Sequence, residues 1–140
     1  MAIQTILVVD DSATDRFFLT ELLETAGFRV VGAGSGEECL AIVAETPPDL
    51  VLCDVVMPGL TGFQVTRALT KDPKAAHIPV ILCTGKSQAT DLAWAMKMGA
   101  KACITKPVAS ADLLALIKTI ESDTKPVAGA NLLALIKTLA

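Results

Sequence analysis

Leu50-Val51-Leu52-Cys53-Asp54-Val55-Val56-Met57-Pro58-Gly59 is the stretch on which the fold turns. Four apolar residues run unbroken into one carboxylate, and a Pro-Gly turn follows. An unbroken apolar run of strand length is the pattern of a strand buried on both faces of a parallel sheet. Its last residue opens at the carboxyl edge of the sheet, where open α/β folds hold their chemistry. Asp54 is therefore read as a charge at the top of a strand, outside the apolar core.

The same pattern recurs on either side. Ile6-Leu7-Val8-Val9 is a short apolar strand that runs into Asp10-Asp11-Ser12. A helix is expected from about Ala13 to Ala26, with Phe17, Leu19, Leu22 and Leu23 among its apolar positions and Gly27 as its stop. Phe28 to Val31 reads as a second strand, and Ser35 with Glu38 fits a capping box for a helix through about Ala44. Pro47-Pro48 then leads into the central stretch. Beyond it come a helix from Phe63 to about Thr70, with Val65 and Leu69 facing inward, and a strand from Val80 to Cys83 ending at Thr84-Gly85. A helix from Ser87 to Met98, a strand over Ala102-Cys103-Ile104, the connection Thr105-Lys106-Pro107 and a helix near Ser110 to Ile120 complete the series.

Short strands that alternate with helices imply parallel pairing through right-handed crossovers. The expected fold class is α/β: a doubly wound, five-stranded parallel sheet of order 2-1-3-4-5, with helices on both faces. In that order the first and third strands flank the point where a crevice opens. Asp10 and Asp11, Asp54, Thr84 and Lys106 all follow strand ends and converge on one edge.

Composition narrows the function. The chain has 140 residues, a hydrophobic content of 52% and a net charge of −3 with no basic block, which argues against a nucleic-acid surface. Its apolar runs are strand-sized, far short of the roughly 20 residues a membrane helix needs, and the start lacks a signal-peptide pattern. The cytoplasm is the expected location. The four cysteines, Cys39, Cys53, Cys83 and Cys103, form no Cys-x-x-Cys pair and read as reduced, buried thiols. The one histidine, His77, lies in a connection where a solvated side chain is expected.

Three carboxylates brought together repel unless a cation sits among them. Oxygen ligands without histidine or thiolate suit Mg²⁺. A carboxylate can also act as a nucleophile and form an acyl phosphate, and phosphoryl transfer needs charge neutralisation above all. Mg²⁺ and Lys106 would supply that, while the Thr84 hydroxyl could donate to a phosphoryl oxygen. Read singly, Asp10-Asp11 could equally cap the first helix.

Val8-Val9-Asp10-Asp11-Ser12, Asp54 with Met57-Pro58 and Gly62, Thr84-Gly85, and Gly99-Ala100 through Lys106-Pro107 together resemble the receiver domain of two-component response regulators, over about residues 4 to 120. The resemblance implies that Asp54 accepts a phosphoryl group from the phosphohistidine of a sensor histidine kinase. It implies that Asp11, Asp54 and the backbone carbonyl of Val56 hold Mg²⁺, with Asp10 assisting through water, and that Thr84 and Lys106 read the phosphoryl group. It further implies output to a protein target through the face made by the fourth helix, fifth strand and fifth helix, with self-phosphotransfer and self-dephosphorylation as the only catalysis. Met57 to Gln64, Leu69-Thr70-Lys71-Asp72-Pro73 and the helix carrying Trp94 look most like the stand-alone receivers of type IV pilus twitching-motility systems. In one respect the chain departs from the family: Cys103 occupies the switch position where receivers usually carry Tyr or Phe. An adapter that no longer uses phosphate is therefore the alternative. An enzyme on the same fold ranks lower, because no phosphate-cradling Gly-rich loop follows the first strand and Asp54-Val55-Val56 lacks the second Asp of aspartyl phosphatases.

The C-terminus repeats the end of the receiver. Thr105 to Thr119 recurs as Thr124 to Thr138, with only Ser110/Gly129 and Asp112/Asn131 differing. The expected division is a receiver over 1–121 and a duplicated tail helix over 122–140. Leu132, Leu133, Leu135 and Ile136 would form an apolar stripe that packs on its own domain, makes a homodimer contact or exchanges between chains, unless the tail is a short helix without function.

Overall fold

The computed structural model of the chain describes residues 2–85 and 89–122. Five strands alternate with five helices: β1 (Thr5–Val9), α1 (Ala13–Thr25), β2 (Arg29–Ala33), α2 (Gly36–Glu45), β3 (Leu50–Asp54), α3 (Gly62–Lys71), β4 (Val80–Thr84), α4 (Ala89–Lys97), β5 (Ala102–Thr105) and α5 (Ser110–Ser122). The sheet has the order β2-β1-β3-β4-β5, and every neighbouring pair is parallel. This is the expected doubly wound sheet.

β3 sits at its centre and is buried along its whole length. Alternate residues of the strands feed two cores. On one face Leu7, Val51, Cys53, Leu82 and Cys103 pack with Cys39 and Val43 of α2, Val65 and Leu69 of α3, and Leu92 and Ala95 of α4. On the other, Ile6, Val8, Leu50, Leu52 and Ile81 pack with Leu19 and Leu23 of α1 and with Leu113, Leu116, Ile117 and Ile120 of α5. Each Val, Leu or Ile side chain among them taken fully from water contributes about 1.5–3 kcal/mol. The helices thereby fix the strands, and the strand ends fix the polar residues that follow them.

Phe17 is the exception among the apolar positions of α1: it is 66% exposed, and so is much of Phe18, while Leu19 and Leu23 carry the contact with the sheet. The predicted capping box at α2 is half formed. Ser35 Oγ accepts from the Glu38 N–H, but Glu38 Oε1 accepts from Gly34 N–H instead of from Ser35. The complete box belongs to α3, where Thr61 and Gln64 cap each other reciprocally. β2 starts and ends later than expected because Asp10 and Thr5 pull it into register with β1: Thr5 pairs with Arg29, and Asp10 N–H donates to the Ala33 carbonyl. α5 runs through Ser122, one residue into the expected tail, and the expectation for 123–140 lies outside the described residues. Among the described residues no helix is long and apolar enough to cross a membrane.

Candidate functional site

The carboxyl edge of the sheet collects charge from three strands. Asp54 is the last residue of β3, and its register partner on β4 is Cys83, one residue before Thr84. Asp10 follows β1 directly and is 1% exposed; Asp54 is 9% and Thr84 6% exposed. Asp11 is exposed at the rim. One carboxylate oxygen from each of Asp10, Asp11 and Asp54 lies within 4.8 Å of the other two.

Lys106 enters from the far edge of the sheet. Its backbone N–H donates to the Thr84 carbonyl at 2.8 Å, which seats the residue at the end of β5 against β4, and the Lys106-Pro107 peptide is cis. From there Nζ donates to Asp10 Oδ2 at 3.0 Å and Asp15 Oδ2 at 3.1 Å, and lies 3.4 Å from Asp54 Oδ1. Four of the side chains singled out in the sequence, Asp10, Asp11, Asp54 and Lys106, thus share one cluster. Thr84 is buried at the end of the strand beside it. Val56, two residues past Asp54 in the β3–α3 connection, exposes 76% of its surface.

Burial drives the Asp54 carboxyl upward from its ordinary range, and the neighbouring charge of Asp10 adds to this, while Lys106 opposes it through its charge and its contact. For Lys106 burial works against the charged form, yet the hydrogen bonds to Asp10 and Asp15 and the charge of Asp54 prevail and push it up. Burial thus works against the ionised form of Asp54, while the acidic neighbours of Lys106 favour its ammonium form. A divalent cation would relieve the crowding of negative charge among the three carboxylates. The donor set is all oxygen, with the carboxylates close enough for shared coordination, which fits Mg²⁺.

Asp10 and Asp11 do not cap α1. Ser12 does: its Oγ accepts from Asp15 N–H, and its own N–H donates to Asp10 Oδ1 at 2.9 Å. Arg16, one turn on, donates from Nη1 to the Asp10 carbonyl, its stem passing beside Gly32 and its guanidinium beside Gly34 of the β2 end. Neither Asp15 nor Arg16 stands out in the sequence. Ser12-x-x-Asp15 has the spacing of a helix start, but nothing in that spacing says that the aspartate reaches a lysine ninety-one positions away.

Cys103 is 3% exposed, and its neighbour on β4 is Leu82. It lies in the same core as Cys53, facing away from the side packed by α1 and α5.

The response regulator receiver domain family matches residues 6–118. The chain belongs to the response regulator receiver family. Among curated proteins this receiver is 47% identical over 115 residues to the protein PilH of Pseudomonas aeruginosa, covering 82% of this chain and 95% of PilH. It is 33% identical to the phosphate regulon transcriptional regulatory protein PhoB of the same organism over 84% of this chain, which spans 51% of PhoB. Among solved structures it superimposes on the chemotaxis protein CheY4 of Vibrio cholerae with a TM-score of 0.80 at 28% identity, covering 85% of this chain and 99% of that one. A response regulator of Chloroflexus aurantiacus gives a TM-score of 0.83 at 29% identity, covering 87% of this receiver and all of that chain.

Proposed function

We propose that the chain is a phosphoryl-accepting switch. Asp54 takes a phosphoryl group from the phosphohistidine of a sensor histidine kinase in a Mg²⁺-dependent reaction, and the acyl phosphate is read by protein contact. The observation that carries this reading is the convergence of two further carboxylates and one ammonium on a single buried-edge carboxylate.

In the transfer an Asp54 carboxylate oxygen attacks phosphorus as the P–N bond of phosphohistidine breaks. The electron pair of that bond stays on the imidazole nitrogen, which solvent then protonates. Self-dephosphorylation is the attack of water on the same phosphorus, which restores the Asp54 carboxylate and releases inorganic phosphate. Asp11, Asp54 and the Val56 backbone carbonyl would hold Mg²⁺, with Asp10 assisting through water. Bound there, the ion neutralises charge on the transferred group. Lys106, already 3.4 Å from Asp54 Oδ1, would pair with a phosphoryl oxygen, and the Thr84 hydroxyl would donate to another. The kinship with PilH supports a place in a pilus or chemotaxis-like pathway in the cytoplasm.

Output is proposed through the α4–β5–α5 face, where Trp94 is 47% exposed and carries Lys97 over its ring at 5.2 Å from the centroid. Cys103 at the switch position cannot fill the volume of an aromatic ring. Phosphorylation chemistry is then preserved while its transmission to that face differs from the family pattern. The same cysteine favours the alternative, an adapter whose contacts do not depend on Asp54. The repeated tail is proposed to mediate a homodimer or an exchange between chains, and deletion of residues 124–140 should then lower the mass in solution.

Incubation with a phosphorylated kinase domain and Mg²⁺ tests the reading. Label should pass to the parent chain and not to Asp54→Asn. Label that passes equally to both, or to neither, refutes it.

A further inference from the structure

Lys106 rests on more anions than the proposed reaction uses. Asp10, Asp54 and Asp15 all lie within 3.4 Å of its Nζ. Asp10 and Asp54 belong to the group whose oxygens could share a cation, and Asp15 does not. Asp15 comes from the first turn of α1 and is anchored to the same Ser12 cap that holds Asp10, since Asp15 N–H donates to Ser12 Oγ and Ser12 N–H donates to Asp10 Oδ1. Its side chain is 49% exposed, against 1% for Asp10.

A divalent ion entering among Asp10, Asp11 and Asp54 draws on two of the three carboxylates that Lys106 leans on, and it repels the ammonium. The phosphoryl group then occupies Asp54 itself. Through both events Asp15 is the one anion whose pairing with Lys106 is undivided. Lysine has a flexible four-carbon stem and loses much rotamer freedom when fixed, so a second anchor outside the metal cluster keeps the ammonium within reach of Asp54.

We infer that Asp15 is a positioning residue for Lys106, holding the ammonium beside Asp54 while Asp10 and Asp54 are engaged with the cation and the phosphoryl group. The inference rests on the switch reading above, and it assigns Asp15 no contact with the reacting atoms.

The test is a cycle of full-length variants: parent, Asp15→Asn, Lys106→Ala and the double variant, with Asp15→Glu as the conservative rescue. Two quantities are read on each. One is the rate of acyl phosphate formation from phosphoramidate at saturating Mg²⁺, followed by intact mass. The other is the Mg²⁺ affinity by calorimetry. Because the Asp15 side chain is half exposed, Asp15→Asn should slow phosphorylation by about 3- to 10-fold. Asp15→Glu should restore most of the rate, and Asp15→Asn should change nothing further once Lys106 is alanine. Mg²⁺ affinity should likewise fall by about 3-fold in Asp15→Asn, because Lys106 then competes harder for Asp10, and this loss should vanish in the Lys106→Ala background. An unaltered rate and affinity in Asp15→Asn, or an equal loss with and without Lys106, would overturn the assignment, since the latter is what a diffuse charge effect gives. A parent chain that takes up no phosphoryl group refutes the switch reading instead, and the Mg²⁺ titrations then decide Asp15 on their own.

Discussion

Gly62 presses its bare Cα against the backbone of Asp54. A Cβ at position 62 would collide with the Asp54 carbonyl oxygen and stand 2.9 Å from Val55 Cα. The Gly62 N–H donates to the Val55 carbonyl at 2.9 Å, so the first residue of α3 is stitched directly to the residue after the candidate phosphoacceptor. Both neighbours of the clash are backbone, which has little room to give. Gly62→Ala should therefore destabilise the fold by about 2–3 kcal/mol and displace Asp54. Urea denaturation should show the lost stability, and phosphorylation of the folded fraction should be slowed as well.

Burial raises the Asp54 carboxyl above its ordinary range. Its native carboxyl takes up a proton at higher pH than in the unfolded chain, so the charge destabilises the fold above the raised native value. That penalty fades as pH falls through that value toward 3.8. In Mg²⁺-free buffer Asp54→Asn should accordingly be more stable than the parent at pH 7, by about 1 kcal/mol. The difference should shrink on acidification and be gone once the unfolded carboxyl is protonated too. Denaturation midpoints across the pH range check both the size and the direction.

Asp11 lies exposed at the rim of the three-carboxylate group. Asp11→Asn should leave thermal stability within about 0.5 kcal/mol of the parent, yet weaken Mg²⁺ binding by about tenfold or more. Chelation of Mg²⁺ should stop phosphorylation of the parent, and calorimetric titration gives the affinities.

All four cysteines are buried, and none of them is in a disulfide. Burial pushes Cys39 up to about 12 and drives Cys53 and Cys83 upward as well. Thiolate is the reactive form, so the native chain should resist alkylation at pH 8, while the unfolded chain should expose four reactive thiols. Mass spectrometry of iodoacetamide-treated samples counts them.

Cys103 sits beside Leu82 in the core that α2, α3 and α4 cover. If the missing aromatic alters how the phosphoryl signal is relayed, Cys103→Tyr should widen the phosphorylation-dependent change in hydrogen exchange over α4, β5 and α5. Equal changes in variant and parent would count against that role.

The fold could be read from the chain because β3 and its neighbours are apolar runs of strand length, punctuated by residues that end strands and start helices. Those short-range patterns set strand order through the handedness of crossovers, and the strand ends then carried Asp10, Asp11, Asp54 and Lys106 to one edge. What local pattern could not supply was side-chain reach. Asp15 lies in the first turn of α1, yet its carboxylate spans to Lys106. Phe17 had the composition of a core residue, but α1 rolls so that Leu19 and Leu23 meet the sheet. The α2 capping box closes only halfway: Ser35 Oγ accepts from the Glu38 N–H, but the Glu38 carboxylate accepts from the Gly34 N–H.

The central claim is tested most directly by locating the phosphoryl group itself. The parent chain is treated with phosphoramidate and Mg²⁺, reduced with borohydride to convert any acyl phosphate to an alcohol, digested and mapped by mass. Reduction at Asp54 alone, dependent on Mg²⁺, is the predicted result. An unreduced Asp54, or a phosphoryl group carried by another residue, would contradict the account.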